Sequence, residues 1–359
     1  MKLLKKIDKY ILYKFLSTFL FFILMMSVII CVIDYTQKID DFVKNNAPTG
    51  QLLIYFSVTA PSFIVLLFPL FVFLSTIYYT SRLAYRTEIV AILSAGVSYS
   101  RFLKPFIIGG LILAGVNLLT NHYLTPKGNV IMNNFLRKYF FDKKVGTDGV
   151  HLKLTDSTYL YIGNFDFMGN TGNNFTYEKV IGTELKEKWI AHRIEYKEDS
   201  MQWVLGDVVE IQNDGIRETL IKSSSKTIDL NIIPDDLDLD KHIKMEMTTP
   251  ELLRFINREK ERGGDKITDF EVEYYRRSAQ AFATFLLVII GVSIASKKTR
   301  GGSGFHLAVG IAISALYVLT LQLTSTFSIN SGLHPVMAVW IPNFIFMVLT
   351  IYLYRKRVR

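Results

Sequence analysis

The sequence predicts a membrane α-helical protein of six transmembrane helices, with an all-β, jellyroll-like domain inserted between the third and the fourth. Six apolar runs are each long enough to cross a hydrocarbon core of about 30 Å as a helix of roughly 20 residues. The segment between the third and fourth runs instead has short apolar stretches rich in β-branched and aromatic residues, punctuated by Asn, Gly and Asp. Half of the 359 residues are hydrophobic, and the formal net charge is +9. The excess lies in short Lys/Arg clusters beside the apolar runs, the pattern that orients membrane proteins, so it points to a bilayer and not to nucleic acid.

In chain order the expected spans are Tyr10 to Val32, Ala60 to Tyr79, Phe102 to Leu124, Ala279 to Ala295, Phe305 to Phe327 and Val336 to Tyr354. The basic start MKLLKK leads into a run of spanning length with no small-residue cleavage pattern, and so reads as an uncleaved first span. Cys31, the single cysteine, lies inside that run and can form no intrachain disulfide. Pro61 and Pro69 each remove a backbone donor in or beside span two and can kink it. Four basic clusters set the orientation: Lys2, Lys5 and Lys6; Arg82, Arg86, Arg101 and Lys104; Lys297, Lys298 and Arg300; Arg355, Lys356, Arg357 and Arg359. With six spans all four share one face, which makes both termini cytoplasmic.

The cytoplasmic loop after span two, SRLAYRTEIVAILSAGVSYSRFLKP, has a helical pattern of its own. Thr87 can cap it, Glu88 sits in the first turn where the helix dipole favours an anion, and Gly96 can act as a left-handed stop. Two turns of helix are too short to be stable alone in water, so Ile89, Val90, Ile92, Leu93 and Val97 must rest on lipid or protein. The segment is either an interfacial connector or a coupling helix that offers a carboxylate and an apolar knob to a cytoplasmic partner.

The opposite face receives the acidic loop DYTQKIDDFVKNNAPTG, the uncharged turn SINSGLHP and the large insert. Stretches such as STYLYIGNF, KWIAHRIEY and MQWVLGDVVEIQ, separated by MGNTGNN and QNDG, predict antiparallel strands of a sandwich or open jelly roll. A helix then follows, capped by Thr249 with Pro250 at its first position and closing at Gly263 and Gly264. Glu271, Glu273, Arg276 and Arg277 come just before span four, where snorkelling and mutual pairing at the membrane surface is their plainest role. The divisions are residues 1–125 for spans one to three with the short helix at 86–96, 126–248 for the β domain, and 249–359 for the connecting helix and spans four to six.

Motifs for chemistry are missing. There is no GxxxxGK[ST] phosphate loop, and RGGSG at Arg300 to Gly304 reads as a flexible turn. His122, His151, His192, His242, His306 and His334 are scattered, with no second histidine at metal-ligand spacing. No GxSxG elbow supports a hydrolase. The centres of spans two, four, five and six carry no charged residue, which disfavours proton or sodium coupling. The chain is expected to be no enzyme and to need no cofactor or metal.

The run APSFIVLLFPLFVFLSTIYYTSRLAYRTEIVAILSAG, with Pro61, Pro69, Arg86, Glu88 and Gly96 in order, resembles the permease subunits of the LptF/LptG lipopolysaccharide exporter. A Pro126-containing exit from span three, LLRFINREKERGGDKITDFEVEYYRR and GLHPVMAVWIPNFI extend the resemblance over nearly the whole chain. YILYKFLSTF followed by VIDYTQKIDDF looks more like the G-type subunit than the F-type. The resemblance implies a bacterial inner-membrane protein with a periplasmic β-jellyroll, paired with a second permease of the same family and carried on a cytoplasmic ABC ATPase dimer. It implies that Arg86, Glu88, Ile89, Val90, Ile92, Leu93 and Gly96 belong to a coupling helix, with Glu88 seated in a groove of the ATPase. It further implies that lipopolysaccharide passes from a membrane cavity to the jellyroll and on to a periplasmic bridge of similar jellyrolls. Lys38 and Lys44, in the far-side loop, can meet lipid A phosphates as point charges, although Asp34, Asp40 and Asp41 beside them fit a solvated loop equally well. Two positions depart from the family pattern: Cys31, where G-type relatives can carry a basic residue, and Ala281, where a proline is expected. A lipoprotein-release or mechanotransmission permease, or an envelope scaffold without an ATPase, are the alternative readings.

Overall fold

The computed structural model describes residues 5–139, 146–155, 157–167, 169–182, 184–198, 200–213, 218–230, 232–234, 237, 243–262, 267–299 and 302–358. Lys2, His242, Gly263, Gly264, Arg300, Gly301, Arg359 and the Asp214–Gly215 turn lie outside them. The chain forms two compact units, Met1–Met132 with Thr268–Arg359, and Asn133–Ile267.

The first unit is helical: α1 (Lys6–Lys44), α2 (Thr49–Leu66), α3 (Phe68–Tyr85), α4 (Glu88–Ser94), α5 (Tyr99–Leu119), a π-helical turn (Thr120–Leu124), the start of α6 (Thr125–Tyr139), α9 (Ile267–Ala295), α10 (Gly302–Ser331) and α11 (Pro335–Val358). Six helices among the described residues are long and apolar enough to cross a membrane: Lys6–Lys44, Thr49–Leu66, Tyr99–Tyr139, Ile267–Ala295, Ser303–Ser331 and Pro335–Val358. The first runs more than three turns beyond the expected span, so the acidic stretch after Val32 is mostly helix, and Lys38 and Lys44 stand on α1 instead of in a loop. Span two divides at Leu67, because Pro69 has no N–H to donate and its ring crowds the preceding turn. Pro61, by contrast, is carried inside α2. Both halves pack against α1: Tyr55 and Phe56 meet the C-terminal part of α1 at Phe42 and Tyr35, while Phe68 and Tyr78 meet Phe19 and Phe22 further back. Pro126 does not end the third helix, which continues to Tyr139, and the compact unit that holds the strands begins at Asn133.

Close helix contacts depend on small residues, since lipid gives little hydrophobic reason for helices to associate. A Cβ on Gly109 of α5 would come within 2.7 Å of the Phe15 ring of α1. The buried core threads Phe15, Phe19, Phe68, Val72, Phe106 and Val288 on one side, and Phe73, Ile77, Leu287, Tyr317 and Phe346 on the other. Glu273 and Arg277 are not snorkelling surface groups: only 7% and 2% exposed, they pair with each other, and Arg276 joins the same carboxylate.

The second unit holds the end of α6, strands β1 (Gly146–Thr155), β2 (Thr158–Asp166), β3 (Thr171–Ile181), β4 (Glu184–Lys197), β5 (Gln202–Asn213) and β6 (Glu218–Ile228), and helices α7 (Ile243–Glu246) and α8 (Thr249–Arg262). Each strand pairs antiparallel with the next, so the described sheet is a meander in chain order and not a Greek-key arrangement. Its connections of two or four residues leave no length for crossovers. The helix α8 is capped one residue earlier than expected: Thr248 N–H and Oγ1–H both donate to Glu251 at 2.7 and 2.6 Å.

The sheet contains a line at which every ladder skips one pair. Gly149, Gly163, Asn174, His192, Asp207 and Ser224 succeed each other across it unpaired. Gly149, Asn174 and Asp207 have positive φ of 66°, 57° and 56°. At this line the buried positions step by three instead of two, from Ile162 to Phe165, Gly172 to Phe175, Ala191 to Ile194 and Leu205 to Val208. An inserted residue in a strand reverses the side-chain alternation, and doing so in every strand at once keeps one apolar face continuous across a bend. That face packs around Trp203, whose indole N–H donates to the Ile232 carbonyl at 2.9 Å.

Gly172 lies where this packing is tightest: a Cβ there would meet Ile162, Ile194 and Phe165 at 2.9 Å each. Gly172→Ala is expected to lower the stability of this unit by roughly 1–3 kcal/mol, the usual cost of overpacking. Gly206→Ala, whose nearest neighbour would stand at 3.7 Å, should cost far less. Hydrogen exchange of the β3 and β4 amides in the full chain reads the difference, and equal protection in the two variants would refute it.

Candidate functional site

The short helix α4 is the candidate site, and the chain reaches it through a left-handed residue. Arg86 N–H donates to Arg82 O and Thr87 N–H to Ala84 O, which closes α3. Thr87 then takes φ +61°, and its carbonyl accepts the first α4 bond, from Ala91 N–H. The expected side-chain cap is absent, because in this conformation the Thr87 hydroxyl donates back to Arg86 O at 2.6 Å. At the other end Gly96 has φ +80° and donates to Leu93 O, so the expected left-handed stop is in place.

Seven residues of helix need outside support. Ile89 provides it, 2% exposed in the cluster that contains Leu83, Ala84, Phe102 and Leu103, and Ile92 packs against the same cluster. Val90 and Leu93 point away, 57% and 37% exposed. Arg86 Nη1 and Glu88 Oε1 are 4.0 Å apart with both side chains well exposed, an ion pair too wet to add much stability. The apolar residues of the segment therefore divide into two that anchor and two that are displayed beside a carboxylate. Tyr85, at the end of α3, is exposed as well, and Lys298 Nζ lies 5.7 Å from its ring centroid. The sequence pattern did not single out Tyr85, since its exposure depends on where α3 stops.

The frame behind α4 is fixed by polar contacts. Arg101 Nη2 lies 2.5 Å from Asp8 Oδ2 in a pair that leaves Asp8 almost fully buried, which ties the start of α5 to the start of α1. Lys5 N–H also donates to Asp8, at 2.7 Å.

The other sequence-derived candidates stand elsewhere. Lys38 Nζ is 2.5 Å from Asp34 Oδ1 and 2.7 Å from the Tyr55 hydroxyl, which itself donates to Asp34 Oδ2 at 2.7 Å. Its charge is matched inside the protein, which is a poor arrangement for a free point charge. Lys44, the last residue of α1, is exposed. The i,i+4 spacing of Asp34 and Lys38 was visible in the sequence, whereas Tyr55 as the third member was not. Among the described residues no three His, Cys, Asp or Glu side chains come together to hold a metal ion.

The family described as the lipopolysaccharide export system permease LptF/LptG matches residues 9–356. The lipopolysaccharide export system permease protein LptG of Haemophilus influenzae (strain ATCC 51907 / DSM 11121 / KW20 / Rd) is 21% identical over 373 residues, covering 99% of this chain and 99% of that protein.

The division of α4 into anchoring and displayed residues can be checked by stability. Ile89→Ala is expected to destabilise the helical unit by about 2–5 kcal/mol, as buried large-to-small changes do. Val90→Ala should stay within about 0.5 kcal/mol. Thermal unfolding of the detergent-purified chain measures both, and equal midpoints would contradict the assignment.

Proposed function

Because this chain belongs to the LptF/LptG family of lipopolysaccharide export permeases, we propose that it is the G-type permease subunit of an ATP-driven exporter, and that α4 is the coupling helix on which a cytoplasmic ATPase dimer acts. As a multi-pass inner-membrane transport protein it brings no catalytic residues of its own. Its partners are a second permease of the family, the ATPase, and a periplasmic jellyroll bridge that receives the lipid.

The observation that carries this reading is the two-sided α4: Ile89 is locked into the bundle while Glu88, Val90 and Leu93 stand outward. A push on the displayed side is passed to the core through Ile89 and to α1 through Arg101 and Asp8. The basic clusters at Lys5–Lys6, Arg82–Lys104, Lys297–Lys298 and Arg355–Arg357 support placing both termini and α4 in the cytoplasm, and hence the sheet in the periplasm.

Power from outside the chain is a physical requirement. Each buried methylene holds a lipid in the bilayer by about 0.8 kcal/mol, so a molecule with several acyl chains does not leave unaided. The apolar interior of the β unit, buried in this structure, is the next dry environment on the proposed route. The G-type assignment is supported by the likeness to an LptG along the full length, and the F-type subunit of the same exporter is the second reading.

Glu88→Lys is expected to reduce co-purification of the ATPase at least about tenfold, since reversing a docked charge costs several kcal/mol. Glu184→Lys, at an exposed strand end, should leave it unchanged. Undiminished ATPase recovery with Glu88→Lys, or equal loss with both variants, would rule out α4 as the contact.

A further inference from the structure

The last two turns of α11 are held on two sides and open on a third. Tyr354 shares a hydrogen bond of 3.0 Å with Ser100 and lies beside Tyr99 at the start of α5. Arg357 donates from Nε to Ser293 O at 2.7 Å and from Nη2 to Ile294 O at 3.4 Å, so it closes the C-terminal end of α9. The remaining face presents Val348, Ile351, Tyr352, Arg355 and Lys356 at i, i+3, i+4, i+7 and i+8, a single helical stripe. These residues line a shallow, open depression of about 590 Å³ along the helix face.

The stripe is graded in polarity. Val348 and Ile351, 65% and 46% exposed, form its apolar end, Tyr352 follows, and Arg355 and Lys356 form its cationic end. Among the described residues neither of these two cations pairs with a carboxylate, and Lys356 Nζ rests 5.9 Å from the Tyr352 ring centroid. Basic groups in a last turn also offset the electronegative helix end. That role needs no apolar stretch beside them.

We propose that this groove binds an anionic glycerophospholipid of the leaflet on the α4 side of the membrane. Its phosphate sits between Arg355 and Lys356, and an acyl chain lies along Ile351 and Val348. The contact of Tyr354 with Ser100 places the groove at the α4 end of the bundle. A bound lipid there would stiffen the frame against which α4 is pushed. The cations and the apolar end together fit a lipid better than a soluble anion, which would use the first and ignore the second.

Native mass spectrometry of the full chain in detergent, with equimolar phosphatidylglycerol and phosphatidylethanolamine, tests this. The wild type should retain phosphatidylglycerol in preference, and Arg355→Gln with Lys356→Gln should lower that retention roughly fivefold per cation removed. Lys6→Gln with Lys9→Gln removes two exposed charges from the same end and should leave the preference intact. Ile351→Trp, which reshapes the apolar end and keeps both cations, should also reduce retention. No headgroup preference, or equal loss in the Lys6/Lys9 variant, would reduce the effect to general attraction and overturn the site. Displacement by lipopolysaccharide at equal concentration would assign the groove to cargo, and loss of retention on assembly with a second permease would assign it to a subunit contact. Either result overturns the proposal.

Discussion

The candidate site depends on the burial of one side chain. A helix of seven residues lies well below the length at which hydrogen bonds offset nucleation, so α4 exists because Ile89 is inserted among Leu83, Ala84, Phe102 and Leu103. The same burial makes α4 part of the bundle mechanically. A displacement of the displayed face cannot be absorbed by local unfolding without exposing Ile89, and it is passed on to α3 and α5. Thr87 tightens the connection, since a β-branched residue at φ +61° is tolerated only where its surroundings leave no alternative.

Much of this was legible in the sequence. Six apolar runs gave six candidate spans, and β-branched stretches between Asn/Gly turns gave a sheet whose strands follow the expected stretches. The limits of the helices were less legible, because length alone does not mark where a helix leaves the membrane: α1 runs on unbroken through Asp34, Lys38 and Asp41, and Pro126 fits a first helical turn as well as it fits a loop. For α4 the list of residues was readable but their division was not. Ile89, Val90, Ile92 and Leu93 are equivalent by hydrophobicity, and only the packing of α3 and α5 decides which point inward.

The sheet posed a different difficulty. Its strands read as ordinary alternation up to one residue each, and the interruption carries a weak signature, a glycine in β1 and β2, an Asn in β3 and an Asp in β5. Gly, Asn and Asp are the residues that accept a left-handed conformation at least cost. Taken singly, each looks like a turn residue misplaced within a strand. Their meaning appears only when the register lays them side by side, and this alignment lets a single meander present one uninterrupted apolar face on both sides of a bend.

Lys38 shows where composition and geometry part. A lysine near the end of a first span invites a role with anionic lipid, yet Asp34 and Tyr55 enclose its ammonium group. The reason lies in the helix that carries it: in the most apolar window of α1 only 6% of residues are buried, against 72% for α9. A helix with so little packing along its middle needs specific attachments. It has one at each end, Asp8 with Arg101 and, 26 residues later or about 39 Å along the axis, Asp34 with Lys38 and Tyr55. Between them the exposed stripe of Leu20, Phe21, Leu24, Val28 and Val32 is free of any such commitment. Buried ion pairs add little net stability over an apolar substitute, but breaking one partner leaves a desolvated charge behind. They therefore serve α1 better as fixed points than as sources of affinity, and Lys38 stands in the structure as part of one of them.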